Sequence, residues 1–213
     1  MLEGSSYEKE EGEQDGYDKA LSRKLFGYMS TFEALFLLVT ALWVGEFILF
    51  RNRGSSKTEN LERQSFPLIL IAVILAIALS LMMREWKIGV IASESLWWFG
   101  LLLYIGGVAL RYWGIIHLKD QFTRDVSVKK GDRLVSSGPY RKLRHPLYTG
   151  LFFIIVGFCL GVGNLWTAIL CGGLLAAALL HRIRIEEAML MQAHGEIYRS
   201  WCQTRYRLIP FVY

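Results

Sequence analysis

The chain has 213 residues, a net charge of +5, 53% hydrophobic and 14% aromatic residues. That apolar share exceeds what a soluble domain of this length carries and points to a membrane protein of one unit. The basic excess does not indicate nucleic acid, because the cations lie beside apolar runs and no zinc-finger, helix-turn-helix or RNA-binding signature is present; anionic headgroups or an anionic ligand are the partners it implies.

Residues 1–24 are rich in Glu, Asp, Gly and Ser, a composition expected to remain mobile. Their acidic start lacks the basic-then-apolar pattern of a cleaved signal, so the tail is expected to be retained. A membrane-spanning helix needs about 20 apolar residues. Residues 31–50, TFEALFLLVTALWVGEFILF, meet that length despite Glu33 and Glu46. Residues 66–83 form a second span free of charge. Residues 96–118 form a third, with Trp97 and Trp98 as interfacial anchors at one end and Arg111 near the other. From Pro146 to Leu180 the chain is uncharged, too long for one straight span, and GVGN at 161–164 interrupts it. Two helices folded back on each other are expected there, with Gly157 and Gly161 serving close helix packing. Cys159, Cys171 and Cys202 form no CxxC pair, and no chemistry is assigned to them.

Five spans put the termini on opposite sides of the membrane, and the side richer in Lys and Arg faces the cytosol. Residues 51–65, 119–145 and 181–213 share one side and hold 17 of the 24 lysines and arginines, against 6 on the other. The C-terminus is therefore expected to be cytosolic.

GPYRKLRHPLYTG, residues 138–150, packs four basic residues, two tyrosines and two prolines into thirteen positions and abuts the long apolar run. Gly138 and Pro139 make a turn, and Pro146 suits the first turn of a helix, where a missing N–H costs nothing. His145 is pushed toward an extended conformation at that helix mouth. Two readings stand on these residues alone. The free N–H groups of the helix start, with Arg144, form an anion-attracting pocket; or Arg141, Lys142 and Arg144 snorkel to headgroups while Tyr140 and Tyr148 form an interfacial belt. After the last span, HRIRIEEAMLMQAHGEIYRSW (181–201) reads as a continuation of the same helix into the cytosol. Arg182 and Glu186 lie four apart on one face with Met189, whereas Arg184 and Glu187 fall on other faces and read as solvated surface. Charges where a helix leaves the bilayer, beside the basic turn, mark a functional candidate.

GPYRKLRHPLYTG, followed across a helical hairpin by RIEE, HGEIY and RLIP, resembles the integral-membrane methyltransferases typified by isoprenylcysteine carboxyl methyltransferase, with phospholipid methyltransferases as close relatives. The resemblance covers roughly residues 118–213. It implies an all-α, polytopic membrane bundle of five transmembrane helices, including a C-terminal helical hairpin, with a cytosolic cofactor loop and helix extension. The chain then divides into an acidic tail (1–24), helices 1–3 (25–117) and a catalytic region (118–213). The implied cofactor is S-adenosylmethionine, lined by Asp132, Arg133, Leu134, Val135, Tyr140, His145, Pro146, Leu147, Tyr148 and Glu186, with Arg182 facing a lipid-like or prenylated acceptor. Where relatives carry FGEEY, His194 and Ile197 stand here.

A sulfonium methyl donor is already activated, so the protein has mainly to align the acceptor and exclude water; no nucleophile, metal or nucleic acid is needed. A carboxylate acceptor is ionised at neutral pH and requires only a cation to place it, a task Arg182 suits. An amine acceptor, as in phospholipid N-methylation, a nicotinamide-dependent membrane reductase of sterols or enones, and a non-catalytic membrane module are the competing readings.

Overall fold

The computed structural model describes residues 31–46, 48–50, 60–119 and 134–209, the side chains of 60–66 excepted. The acidic tail, Asp132 and Arg133 lie outside these residues. The chain divides into two compact units, Met1–Ala41 and Leu42–Tyr213. Residues 31–46 are helical (α1), and the boundary falls within them. In the first unit Phe32 stacks on Phe36 at 5.9 Å, and Thr40 donates to the Phe36 carbonyl.

The second unit is helical in its regular structure among the described residues: α2 (Asn60–Glu85), α3 (Glu94–Leu118), α4 (Pro146–Gly161), α5 (Leu165–His194) and α6 (Glu196–Gln203), with a 3-10 turn at Gly138–Arg141. It is an all-α membrane bundle, as the sequence implied. Among the described residues three helices are long and apolar enough to cross a membrane: α2 from Pro67, α3 and α5. Their outward residues, among them Leu70, Ile74, Leu102, Ile116, Ile169 and Leu174, are exposed large hydrophobics that hydrocarbon would cover. The expected hairpin is present. Its first helix, α4, is shorter than a full span at 16 residues, about 24 Å. Its tip is the predicted GVGN: Gly163 has φ +86°, and the Asn164 side chain caps α5 by accepting from Thr167 N at 3.0 Å.

Glycine spacing explains how α3 and α4 approach. Gly100, Gly107 and Gly114 recur every seven residues on α3, against Gly150, Gly157 and Gly161 on α4. A Cβ at Gly107 would lie 2.6 Å from the Gly150 carbonyl oxygen, and one at Gly157 2.6 Å from that of Gly100. Both helices must be bare there for the backbones to meet, which is the packing role expected of Gly157 and Gly161.

The 30 residues of α5 reach about 45 Å, beyond a hydrocarbon core of about 30 Å, so its C-terminal part must emerge. Arg182 stands about 26 Å from the helix start, near that point of exit. The sequence reading of one helix through residue 201 is corrected here. Gly195, at φ +54°, ends α5, its N–H donating to Met191 O, and α6 is a separate element.

Candidate active site

Pro146 at the start of α4 holds the preceding residue out of the helix, and His145 sits at φ −126°, ψ 60° with no side-chain cap bond. Its ring turns inward instead. The ring is buried, stacks on Tyr148 at 5.7 Å, and lies between two carboxylates: Nε2 is 3.3 Å from Glu187 Oε1 and Nδ1 3.8 Å from Glu186 Oε2.

Tyr148, in the first turn of α4, meets α5. Arg182 Nε donates to Tyr148 Oη at 2.8 Å, and Tyr148 Oη donates to Glu186 Oε2 at 2.8 Å. The shared face expected for Arg182 and Glu186 is real, and a phenol from another helix bridges the two. Arg182 is 3% exposed, while the Glu186 side chain is 27% exposed. A buried cation and a part-open carboxylate thus share one hydrogen-bonded unit, in which each charged partner strengthens the bond it makes.

Glu187 is a correction. Expected on a solvated face, it accepts from Arg144 Nη1 (3.3 Å) and from Arg207 through both Nε (3.2 Å) and Nη2 (2.8 Å). The C-terminal segment causes this by folding back on the loop before α4. Arg144 N donates to Tyr206 O at 2.8 Å, Tyr206 N to Lys142 O at 2.9 Å, and Thr149 Oγ1 to Leu208 O at 2.6 Å. Arg144 is corrected with it. Besides the Glu187 carboxylate, its guanidinium donates to the carbonyls of Cys202 and Arg205, both at 3.0 Å, so it is engaged within the protein rather than turned to a ligand anion. Arg184 does lie exposed, as expected.

The remaining predicted residues fall around this cluster. Tyr140 is buried in the 3-10 turn, its carbonyl accepting from Arg205 Nε at 2.8 Å. Burial, and next the Glu186 charge, push its hydroxyl pKa upward against the opposing Arg111, so it stays a neutral phenol at any physiological pH. Gly138, at φ +56°, has His117 against it where a Cβ would stand, so glycine alone makes this turn. Leu134 and Val135 are half-buried, beside Ser136, whose Oγ accepts from Trp201 Nε1 at 2.9 Å. Pro146 is buried, and the Leu147 side chain lies against Gly114 of α3. Sequence reasoning left out Glu187, Thr149, Arg205 and Arg207, and assigned nothing to Glu46 and Arg111. Only the second acid of RIEE offered a local signal.

His194 Nε2 is a buried polar atom with no hydrogen-bond partner among the described residues, and the buried Tyr198 Oη has the Cys202 thiol as its neighbour. Tyr198 feels the charges of both Glu187 and Glu186, lies beside the Cys202 thiol and stacks on Trp201 at 5.8 Å. A part-open carboxylate and stacked aromatic faces fit a ligand that joins positive charge to a planar base. Ile197, the other departure from the family pattern, is exposed.

Residues 98–192 match the family model of the isoprenylcysteine carboxyl methyltransferases. The chain is 28% identical over 187 residues to protein-S-isoprenylcysteine O-methyltransferase B of Arabidopsis thaliana, covering 84% of this chain and 92% of that one. It is 30% identical over 152 residues to the A form of the same plant, covering 68% and 77% respectively. Its fold is similar to that of a eukaryotic intramembrane Ras methyltransferase, with a TM-score of 0.65 at 23% identity over 86% of this chain; it spans 66% of that chain's length.

Proposed function

The chain belongs to the isoprenylcysteine carboxyl methyltransferase family, and on that premise we propose that it transfers the methyl group of S-adenosylmethionine to the carboxylate of an isoprenylcysteine-like acceptor, where α5 leaves the membrane on its cytosolic side. The Arg182–Tyr148–Glu186 unit is the observation that carries this reading: it joins a group for an anionic acceptor to a group for a cationic donor.

S-adenosylmethionine, when bound, supplies a methyl group already activated on a sulfonium. Glu186 would hold its positive end, with His145, Tyr148, Tyr140, Leu134, Val135, Pro146 and Leu147 lining the rest of the site; Asp132 and Arg133, which the family resemblance adds, lie outside the described residues. Arg182, fixed at Nε by Tyr148, places the acceptor carboxylate through charge-assisted hydrogen bonds. That carboxylate is ionised at neutral pH, so the residues need move no proton. Tyr148 orients Arg182 and Glu186 through its hydroxyl, and the buried Tyr140 helps exclude water. The prenyl tail lies in lipid beside the apolar faces of the spanning helices.

Purified protein given methyl-labelled donor tests this with three acceptors: an S-prenylated cysteine with a free carboxylate, its carboxamide, and the unprenylated amino acid. Label is expected in the first alone. Arg182→Leu is expected to lower turnover tenfold or more, in line with about 1.5–3 kcal/mol per charged hydrogen bond, while affinity for S-adenosylhomocysteine is retained. Equal labelling of the carboxamide overturns the reading.

A further inference from the structure

Glu46 and Arg111 have no place in the site just described, yet both carry charge into the bundle. Glu46 is 1% exposed on α1 and Arg111 sits within the membrane-length helix α3. A charge at such depth must be paired or functional. Pairing is complete on one side: Arg111 Nε donates to Glu46 Oε2 at 2.7 Å, and Nη2 contacts Glu46 Oε1. Mutual neutralisation does not account for the third donor. Arg111 Nη1 reaches a different helix and donates to the Leu147 carbonyl at 3.2 Å. The path to it is built, since the arginine stem crosses α4 at Gly150, where a Cβ would stand 2.6 Å from Arg111 Cγ.

We propose that the Glu46–Arg111 pair is a positioning device for Tyr148. The tyrosine is then held at two ends: Arg182 bonds its hydroxyl, and Arg111 bonds the carbonyl of the residue before it. Glu46 sets the angle of the guanidinium fork, and the α1 segment that carries it is fixed to α3 by Tyr112 Oη donating to Leu42 O at 2.7 Å and by Phe50 against the Tyr112 ring. Arginine is required because one rigid fork serves two partners; lysine, a point charge with one nitrogen, keeps the pair with Glu46 but not the second reach.

The test has two arms, of which only the second rests on the proposed function. In hydrogen exchange, peptides covering residues 146–152 should exchange about tenfold faster in Arg111→Lys, while the middle of α5 is unchanged. The same acceleration is expected in the Glu46→Leu/Arg111→Leu double variant, which removes both buried charges and is often neutral for stability. In turnover, Arg111→Lys should lower kcat/KM about tenfold with Tyr148 present, and less than about twofold in a Tyr148→Phe background, because the two act through one side chain. Native exchange at 146–152 in both variants, or an equal loss of kcat/KM in both backgrounds, overturns the proposal and returns the pair to neutralisation alone. If the unmodified protein methylates no prenylated cysteine, the functional reading fails and the exchange arm still decides.

Discussion

Glu187 is the carboxylate on which the C-terminal segment closes, and its replacement separates structural from chemical roles in the acidic pair. Glu187→Gln keeps the shape but leaves Arg144 and Arg207 without their shared anion beside a buried His145. With the carboxylate 13% exposed and Arg207 30% exposed, the cost falls below that of a fully buried pair, at about 2 kcal/mol. A thermal midpoint several degrees lower in detergent is expected, with residues 204–209 becoming accessible to protease. A midpoint equal to the native one would show that the C-terminal segment is held by its backbone bonds alone. At this scale the sequence was informative where spacing is local. Arg182 and Glu186, four apart, were legible as one helical face because helix geometry fixes their relation, whereas His145 and Tyr148 entered the site only through the family resemblance. Glu187 was misread for the same reason. A periodicity states which face a residue occupies, not that a segment 20 residues on will cover that face. Glu46 and Arg111, 65 positions apart, have no local signature of their pairing.

Among the elements, the contact between α3 and α4 decides whether the site exists, since it fixes the first turn of α4 against Arg111. Gly157→Ala places a methyl 2.6 Å from the Gly100 carbonyl oxygen and against the Tyr104 backbone, neither of which can swing away. Overpacking of this kind costs about 1–3 kcal/mol, and the variant should unfold at lower temperature and lose turnover. Gly106→Ala, on the same α3 but with nothing within 4 Å, should be neutral or slightly stabilising because alanine is the better helix former. Equal behaviour of the two variants would contradict glycine-mediated contact. The hairpin, its GVGN tip and the close glycine packing were all readable beforehand, from proline, glycine and an uninterrupted apolar run. The end of α5 was not. HGE gave no polarity change to mark a boundary, and the break rests on one glycine adopting a positive φ.

For the molecule as a whole, the placement of lysine and arginine predicts that a reporter fused after Tyr213 is cytosolic and that one placed before Met1 is on the other side. The reverse result would remove the site from the compartment of its proposed donor. Fold class was legible in composition alone, because lipid-facing helices leave long apolar runs that a soluble core does not need. Substrate chemistry was legible only through the family resemblance, since no run of residues in the first three spans distinguishes one lipid tail from another. A carboxylate acceptor and an amine acceptor differ in the bond formed, and the chemistry of that bond separates them most directly. A methyl ester is cleaved by mild alkali and releases volatile methanol, whereas an N-methyl group is not. Incubation of the purified protein with methyl-labelled donor and S-prenylated cysteine, followed by mild alkali, should transfer nearly all the label from product to the volatile fraction; label that stays with an alkali-stable product would contradict the carboxylate assignment and the role given to Arg182.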